Sequence, residues 1–268
     1  MTSPDRYGDR EFIFERDAFS CRHCGVVDDD LTSLRTYPVG NIPLEGDVHE
    51  SGVVTVCTEC LAPLENSPST EPDATDDLFH LVRETTQVQG ATISDVADFA
   101  SVATSLPDTL EAAVDDETPA DLETPVAEYQ RARRDVLLAL DIVDARLDRL
   151  ATLESAVDPT VRSALAAFSE TSTQLQRTLR EVVAASETVA TGHGRCHGCF
   201  ASLEEAEDET CSTCGLVAHQ TVDWEQDDGT LAFDRLFETI NETLRGASQT
   251  TETLTDRTMV LAEQLVEE

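Results

Sequence analysis

The stretch Cys196-His197-Gly198-Cys199-Phe200, followed by Cys211-Ser212-Thr213-Cys214-Gly215, sets two Cys-x-x-Cys pairs in close succession, with residues 200–210 between them. Each pair can place two thiolates on one cation from a tight turn, and two pairs complete the tetrahedral four-cysteine arrangement of a structural zinc site. The same spacing recurs near the start of the chain as Cys21-Arg22-His23-Cys24 and Cys57-Thr58-Glu59-Cys60, with residues 25–56 between. These four pairs use all 8 cysteines. Pairing in chain order predicts one site from Cys21, Cys24, Cys57 and Cys60, and a second from Cys196, Cys199, Cys211 and Cys214. Gly25 and Gly215, each directly after a second cysteine, suit the strained turn there. Zinc contributes an apparent ~10–16 kcal/mol to such modules, so they need little apolar core of their own.

Other uses of the cysteines fit less well. Disulfides need an oxidising compartment, and Met1 to Arg10 carries no apolar secretory segment, so a cytoplasmic location is expected. A thioredoxin-type pair would make four pairs surplus, and an iron–sulfur cluster does not usually show this paired spacing.

Outward from the cysteines the chain divides into segments. Residues 1–64 form the first zinc module, with strands read at Leu31 to Val39 and Gly52 to Val56. Residues 65–77 and 107–125 read as acidic, proline-containing linkers. Between them, 78–106 is a helix carrying Leu78, Leu81, Val82, Val88, Ile93, Val96, Phe99 and Val102. Over 126–192 the apolar positions step by three and four: Val136, Leu140, Val143, Leu147 and Leu150, then Val161, Leu165, Phe168, Leu175, Leu179 and Val182. Asp158-Pro159 breaks this run, which predicts a helical hairpin or coiled coil. Ser172, Ser186, Thr251 and Thr258 fall on seam positions, as does Glu154. A zinc ribbon over 193–229 and an amphipathic helix over 230–268 complete the chain. The weakened seams predict packing in a bundle or across a homodimer. The fold class expected is mainly α with small zinc-stabilised β modules.

Acidic residues number 54 against 18 basic ones, giving a net charge of -36, and every basic residue is Arg. The carboxylates are spread along the whole chain rather than gathered in one tail. Arginine kept while lysine is lost resembles haloarchaeal proteins, where molar salt shortens the Debye length to about 3 Å or less and screens such charge. The charge is therefore read as halophilic adaptation, and it does not dismiss nucleic acid as a partner. No apolar run approaches the roughly 20 residues of a membrane span, so no membrane association is expected.

The segment Arg16-Asp17-Ala18-Phe19-Ser20-Cys21-Arg22-His23-Cys24-Gly25, with Val53-Val54-Thr55-Val56 leading into Cys57-Thr58-Glu59-Cys60, resembles the HNH endonuclease family. The resemblance covers residues 9–64 and implies a treble-clef, ββα-metal type of fold. It also implies where catalysis would sit: a general-base His ending the first strand, an Asn to orient it, and a His after the second pair to hold a divalent metal such as Mg. Here those places hold Leu34-Arg35-Thr36-Tyr37-Pro38-Val39, Gly52 and Leu61. His49, Asn41 and His23 lie nearby without matching the pattern, and a phenol such as Tyr37, with an ordinary pKa near 10, is no substitute for an imidazole.

The second module resembles zinc ribbons generically. Arg195, with His193, His197 and His219, is its only basic equipment against the acidic run Glu204 to Glu209, and Trp224 is a candidate anchor or cover. The reading that follows is a zinc-binding, HNH-like but non-catalytic interaction protein, with DNA or a nucleic-acid-associated complex as partner. The alternatives are an active HNH-type endonuclease with a displaced site, and a zinc-thiol redox sensor.

Overall fold

The computed structural model describes residues 10–28, 31–40, 48–65, 74–115, 122–203, 209–227 and 231–266. Most of them are helical. A short helix α1 (Arg10–Arg16) leads to a two-stranded antiparallel hairpin, β1 (Leu34–Pro38) and β2 (Val53–Cys57), and then to α2 (Thr58–Glu65). The long helices follow: α3 (Ala74–Thr104), α5 (Glu123–Leu153), α6 (Pro159–Gly192) and α7 (Phe233–Val266), with the shorter α4 (Leu106–Asp115) after α3. Among the described residues no helix is long and apolar enough to cross a membrane.

The seam read from the sequence is the one that is buried. Val136, Leu140, Val143, Leu150, Leu165, Phe168, Leu175, Leu179 and Val182 are fully enclosed. Together they form the stripe that drives amphipathic helices into a bundle. The direction of packing is legible from long-range bonds. Gln176 Nε2 donates to the Leu140 carbonyl at 3.0 Å, while Arg133 Nε, earlier on α5, donates to Glu187 Oε1, later on α6, at 2.6 Å. Thus α5 and α6 run antiparallel as a hairpin. α7 folds back along α6, burying Leu236, Ile240, Ala247, Leu254 and Leu261 within the same chain.

The polar seam residues are mostly satisfied without partners on other helices. Ser186, Thr251 and Thr258 each donate to the carbonyl four residues back, at 2.8 Å in every case, which removes the cost of burying a hydroxyl. Glu154 leaves the seam because α5 stops at Leu153 and residues 154–156 form a 3-10 turn. Asp158 then caps α6, accepting from the Thr160 N–H at 2.9 Å, with Pro159 at the first helical position where its missing donor does no harm.

Two segment boundaries change. The linker expected over 107–125 is helical through Asp115, as α4, and again from Glu123. Pro107 and Pro125 lie in the first turns of α4 and α5, where proline starts a helix rather than breaking it. Residues 116–121 and 66–73 fall outside the described residues, and α3 begins at Ala74 rather than at Leu78. In the segment expected as a zinc ribbon, the β pairing among described residues is limited to isolated bridges such as Arg195 with Ser202 and Thr210 with Val217.

One apolar cluster runs unbroken from the first cysteine module into the bundle. It joins Cys21, Leu34, Val54, Val56 and Leu61 to Tyr129, Val136, Leu140 and Leu165. Leu140→Ala should therefore lower stability by about 2–5 kcal/mol. Met259→Ala, at a site 55% exposed, should stay within about 0.5 kcal/mol of the parent. Denaturant unfolding at fixed salt reads both.

Candidate metal centres

The first cysteine group is assembled by backbone bonds around a short apolar hairpin. Asp17, which is buried, accepts the Thr55 N–H at 2.9 Å and the Arg16 guanidinium at 2.9 and 3.0 Å. Arg16 in turn donates to the carbonyls of Glu50 and Val53. This pair fastens the end of α1 to β2. The Arg22 N–H then donates to the Thr55 carbonyl at 2.8 Å, placing the first knuckle beside the strand that ends in Cys57. Cys60 follows in the first turn of α2.

Three of the four Cys-x-x-Cys pairs share one knuckle geometry. The first cysteine's N–H donates to a carbonyl five residues on, at 2.8 Å from Cys21, Cys196 and Cys211 to Val26, Ala201 and Leu216. The residue after the second cysteine donates back to the first cysteine's carbonyl and takes a positive φ: +74° at Gly25, +63° at Phe200 and +75° at Gly215. Glycine adopts this backbone freely; phenylalanine does so at a cost of roughly 1–2 kcal/mol. The Phe200 ring is buried 5.7 Å from that of Tyr129, and this burial holds the strained residue in place. The fourth pair differs, because Cys57 ends a strand and Cys60 starts a helix.

The sulfurs of Cys21, Cys24, Cys57 and Cys60 lie within 4.8 Å of one another, and so do those of Cys196, Cys199, Cys211 and Cys214. Separations of 3.7 Å (Cys24–Cys57), 3.4 Å (Cys196–Cys214) and 3.5 Å (Cys199–Cys211) are far beyond a disulfide bond of about 2.05 Å. They are close to the ~3.8 Å edge of a tetrahedron with metal–sulfur bonds of about 2.3 Å. Protons distribute unevenly in such groups. Cys21 is pushed down to about 4, chiefly by the hydrogen bond from the Cys60 thiol, while Cys60 is driven up by the same bond and by burial. A dication at the centre removes this conflict by letting all four ionise. Each tetrad could thus hold one zinc ion.

Both groups dock on α5. On one side Arg22 pairs with Asp135, with Nε to Oδ1 at 2.9 Å, and Tyr37 packs against Asp141. On the other, the Tyr129 hydroxyl donates to the His197 carbonyl at 3.1 Å and Gln130 donates to that of Cys199 at 2.9 Å. Beneath them Arg133 Nε meets Glu187 Oε1 at 2.6 Å, and His219 Nε2 lies 2.7 Å from Glu187 Oε2. Burial pushes the Glu187 carboxyl up, but the Arg133 charge and the His219 bond outweigh it and hold it at about 2. Burial also pushes His197 down to about 4.

The residues named around the HNH resemblance have other partners. His49 caps the 3-10 turn Glu50–Gly52, its Nδ1 2.9 Å from Ser51 Oγ and accepting the Ser51 N–H at 3.2 Å. His23 is partly buried, and desolvation lowers its pKa. Gly52 and Leu61 are buried, and Asn41 lies outside the described residues. Among the described residues, the only His, Cys or carboxylate grouping of metal-binding geometry in this module is the cysteine tetrad. In the second module His193 stacks on Phe233 at 4.6 Å, and the Arg235 guanidinium sits 5.6 Å over Trp224. Arg195 is partly exposed at the start of the knuckle.

Sequence reasoning missed Glu187 and its buried partner Arg133. The available signal was an acidic residue amid Val182, Val183, Ala184 and Val189 on a helix that is otherwise core. Compared with protein-family models, curated proteins and solved structures, the chain matches none of them.

Two outcomes follow. Arg133→Met leaves the Glu187 carboxylate buried without its main counter-charge and should cost about 3–5 kcal/mol. Arg131→Ala, with a side chain 71% exposed, should change stability by less than about 0.5 kcal/mol. Burial and Asp141 push Tyr37 up to about 12. A raised pKa adds stability that is complete below the unfolded value near 10 and is lost as pH climbs toward 12. Tyr37→Phe should therefore flatten part of the alkaline fall in stability, as read by thermal unfolding across that window.

Proposed function

We propose that this chain is a zinc-binding, HNH-like but non-catalytic interaction protein that works beside nucleic acid. Each cysteine tetrad holds one structural zinc, and the two modules present themselves from a common helical platform. The observation that carries this reading is the docking of both tetrads, with sulfur spacings of a tetrahedral site, against a single helix, α5. Placement of this kind suits presentation of surfaces more than turnover of a substrate. The HNH-like frame rests on Arg16 to Gly25 and Val53 to Cys60. The places where that family keeps its base and metal ligand hold Tyr37, Gly52 and Leu61.

The knuckle tips supply contact surface. Val26 and Val27 beyond the first knuckle, and Val217 beyond the last, are 48%, 61% and 63% exposed. Apolar tips on a chain with 54 acidic and 18 basic residues suit a protein already bound to nucleic acid better than bare phosphate, which demands clustered cations. A second reading, thiol redox sensing, is favoured by the exposure of Cys24.

A plasmid-nicking assay with Mg²⁺ or Mn²⁺ in concentrated salt tests the proposal. The expected outcome is intact plasmid with zinc-loaded protein. Cutting that vanishes in His49→Ala would replace this reading with a displaced nuclease site. Reversible zinc release under mild peroxide would favour the sensor.

A further inference from the structure

The structure assigns this chain a third metal centre, distinct from both tetrads: Glu187, His197 and His219 form a two-histidine, one-carboxylate set for a zinc-like divalent cation. One nitrogen of each imidazole and one Glu187 oxygen lie within 4.8 Å of one another. The three residues arrive from separate segments. Glu187 lies near the end of α6, His197 lies inside the third Cys-x-x-Cys pair, and His219 follows the last knuckle. The two imidazole rings stand 4.4 Å apart. This donor set suits zinc and leaves a fourth position for water or an added ligand.

The carboxylate is already aimed. Arg133 holds Oε1 at 2.6 Å, which leaves Oε2 facing His219 Nε2 at 2.7 Å. Such an outer partner orients a ligating carboxylate for a single metal bond. His197 is 4% exposed, and its Nδ1 is buried with no hydrogen-bond partner among the described residues. Buried polar atoms are ordinarily paired, and a cation in the cluster gives this ring a polar partner. Two ligands at about 2.0–2.1 Å from a tetrahedral ion stand ~3.3 Å apart. Seating the ion therefore widens the present Glu187–His219 contact by roughly half an ångström. His219 can supply that movement, since its side chain is 30% exposed.

The nearby Arg133 cation opposes a second positive charge. The adjacent tetrad answers it: four thiolates around one dication carry about −2. With Arg133 and Glu187 cancelling each other, an added dication brings the whole cluster to about zero. This charge balance rests on the proposed zinc in Cys196, Cys199, Cys211 and Cys214, so the test must count thiol-bound and thiol-free metal separately.

Full-length protein, loaded at both tetrads, is titrated with Zn²⁺ against a competing chelator in concentrated salt, beside His219→Ala and Glu187→Gln. A thiol-directed mercurial then releases the thiolate-bound zinc on its own. The expected result is one additional, thiol-independent zinc in the parent protein. Either substitution should weaken it by more than about tenfold, the loss seen even for outer-shell partners, with both tetrad ions retained. Superimposable titrations of parent and His219→Ala would overturn the assignment and leave a hydrogen-bonded Arg–Glu–His network in its place. Should a substitution disturb the tetrad instead, imidazole ¹⁵N shifts in the parent protein decide. Shifts of His197 and His219 on adding the third equivalent support the centre, and unchanged shifts reject it. Failure of the tetrads to hold zinc would show separately, as no metal released by the mercurial.

Discussion

Four sulfurs brought within 4.8 Å of one another without bonding make an unstable arrangement unless something positive lies between them. Thiolates repel, and thiols crowd without gaining much from weak S–H bonds. The fold nevertheless builds this arrangement twice, with the same backbone hydrogen bonds repeated in three of the four Cys-x-x-Cys pairs. Most other features follow from it. Among the described residues, the segments between the knuckles hold little regular structure, with one hairpin of two five-residue strands and a few isolated bridges. A cation bound at each tetrad would add a central attachment point to segments this small, beside the apolar contacts that join the first of them to the bundle.

The second dependence is on α5. This helix carries the bundle's apolar stripe on one side, and contacts to both cysteine groups along the rest: Tyr129, Gln130 and Arg133 toward the second, Asp135 and Asp141 toward the first. Because residues i, i+3 and i+4 share a face, a helix of this length offers several docking stripes at once. The buried Arg133–Glu187 pair ties α5 to α6 directly under the second module. A pair so enclosed adds little net stability compared with apolar packing, but losing either partner is costly. Its value lies in fixing where the module sits.

Much of this was legible in the sequence. Cys-x-x-Cys spacing is a local property, so the composition of each tetrad follows from counting. The stepping of apolar residues from Val136 to Val182, across two helices, is equally local, and the buried stripes match it. What was not legible is long-range. Arg133 and Glu187 are 54 residues apart, and no local pattern pairs them. Pro107 and Pro125 were ambiguous because proline ends one helix and opens the next with the same restriction on φ. Phe200 concealed a left-handed turn that glycine announces openly at Gly25 and Gly215, since its strain is offset by tertiary burial against Tyr129. The HNH resemblance drew attention to histidines near the first module, whereas the histidines that converge with a carboxylate lie in the second.

The most direct measurement is a mercurial titration of the thiols in the native, full-length protein, with released zinc and helical circular dichroism followed together. Zinc is expected to leave in step with the thiols, at one ion for every four, and the thermal midpoint of the helices should fall as it leaves. Eight thiols that react without releasing metal, or helices whose unfolding is indifferent to its loss, would contradict a fold organised around two thiolate-bound cations.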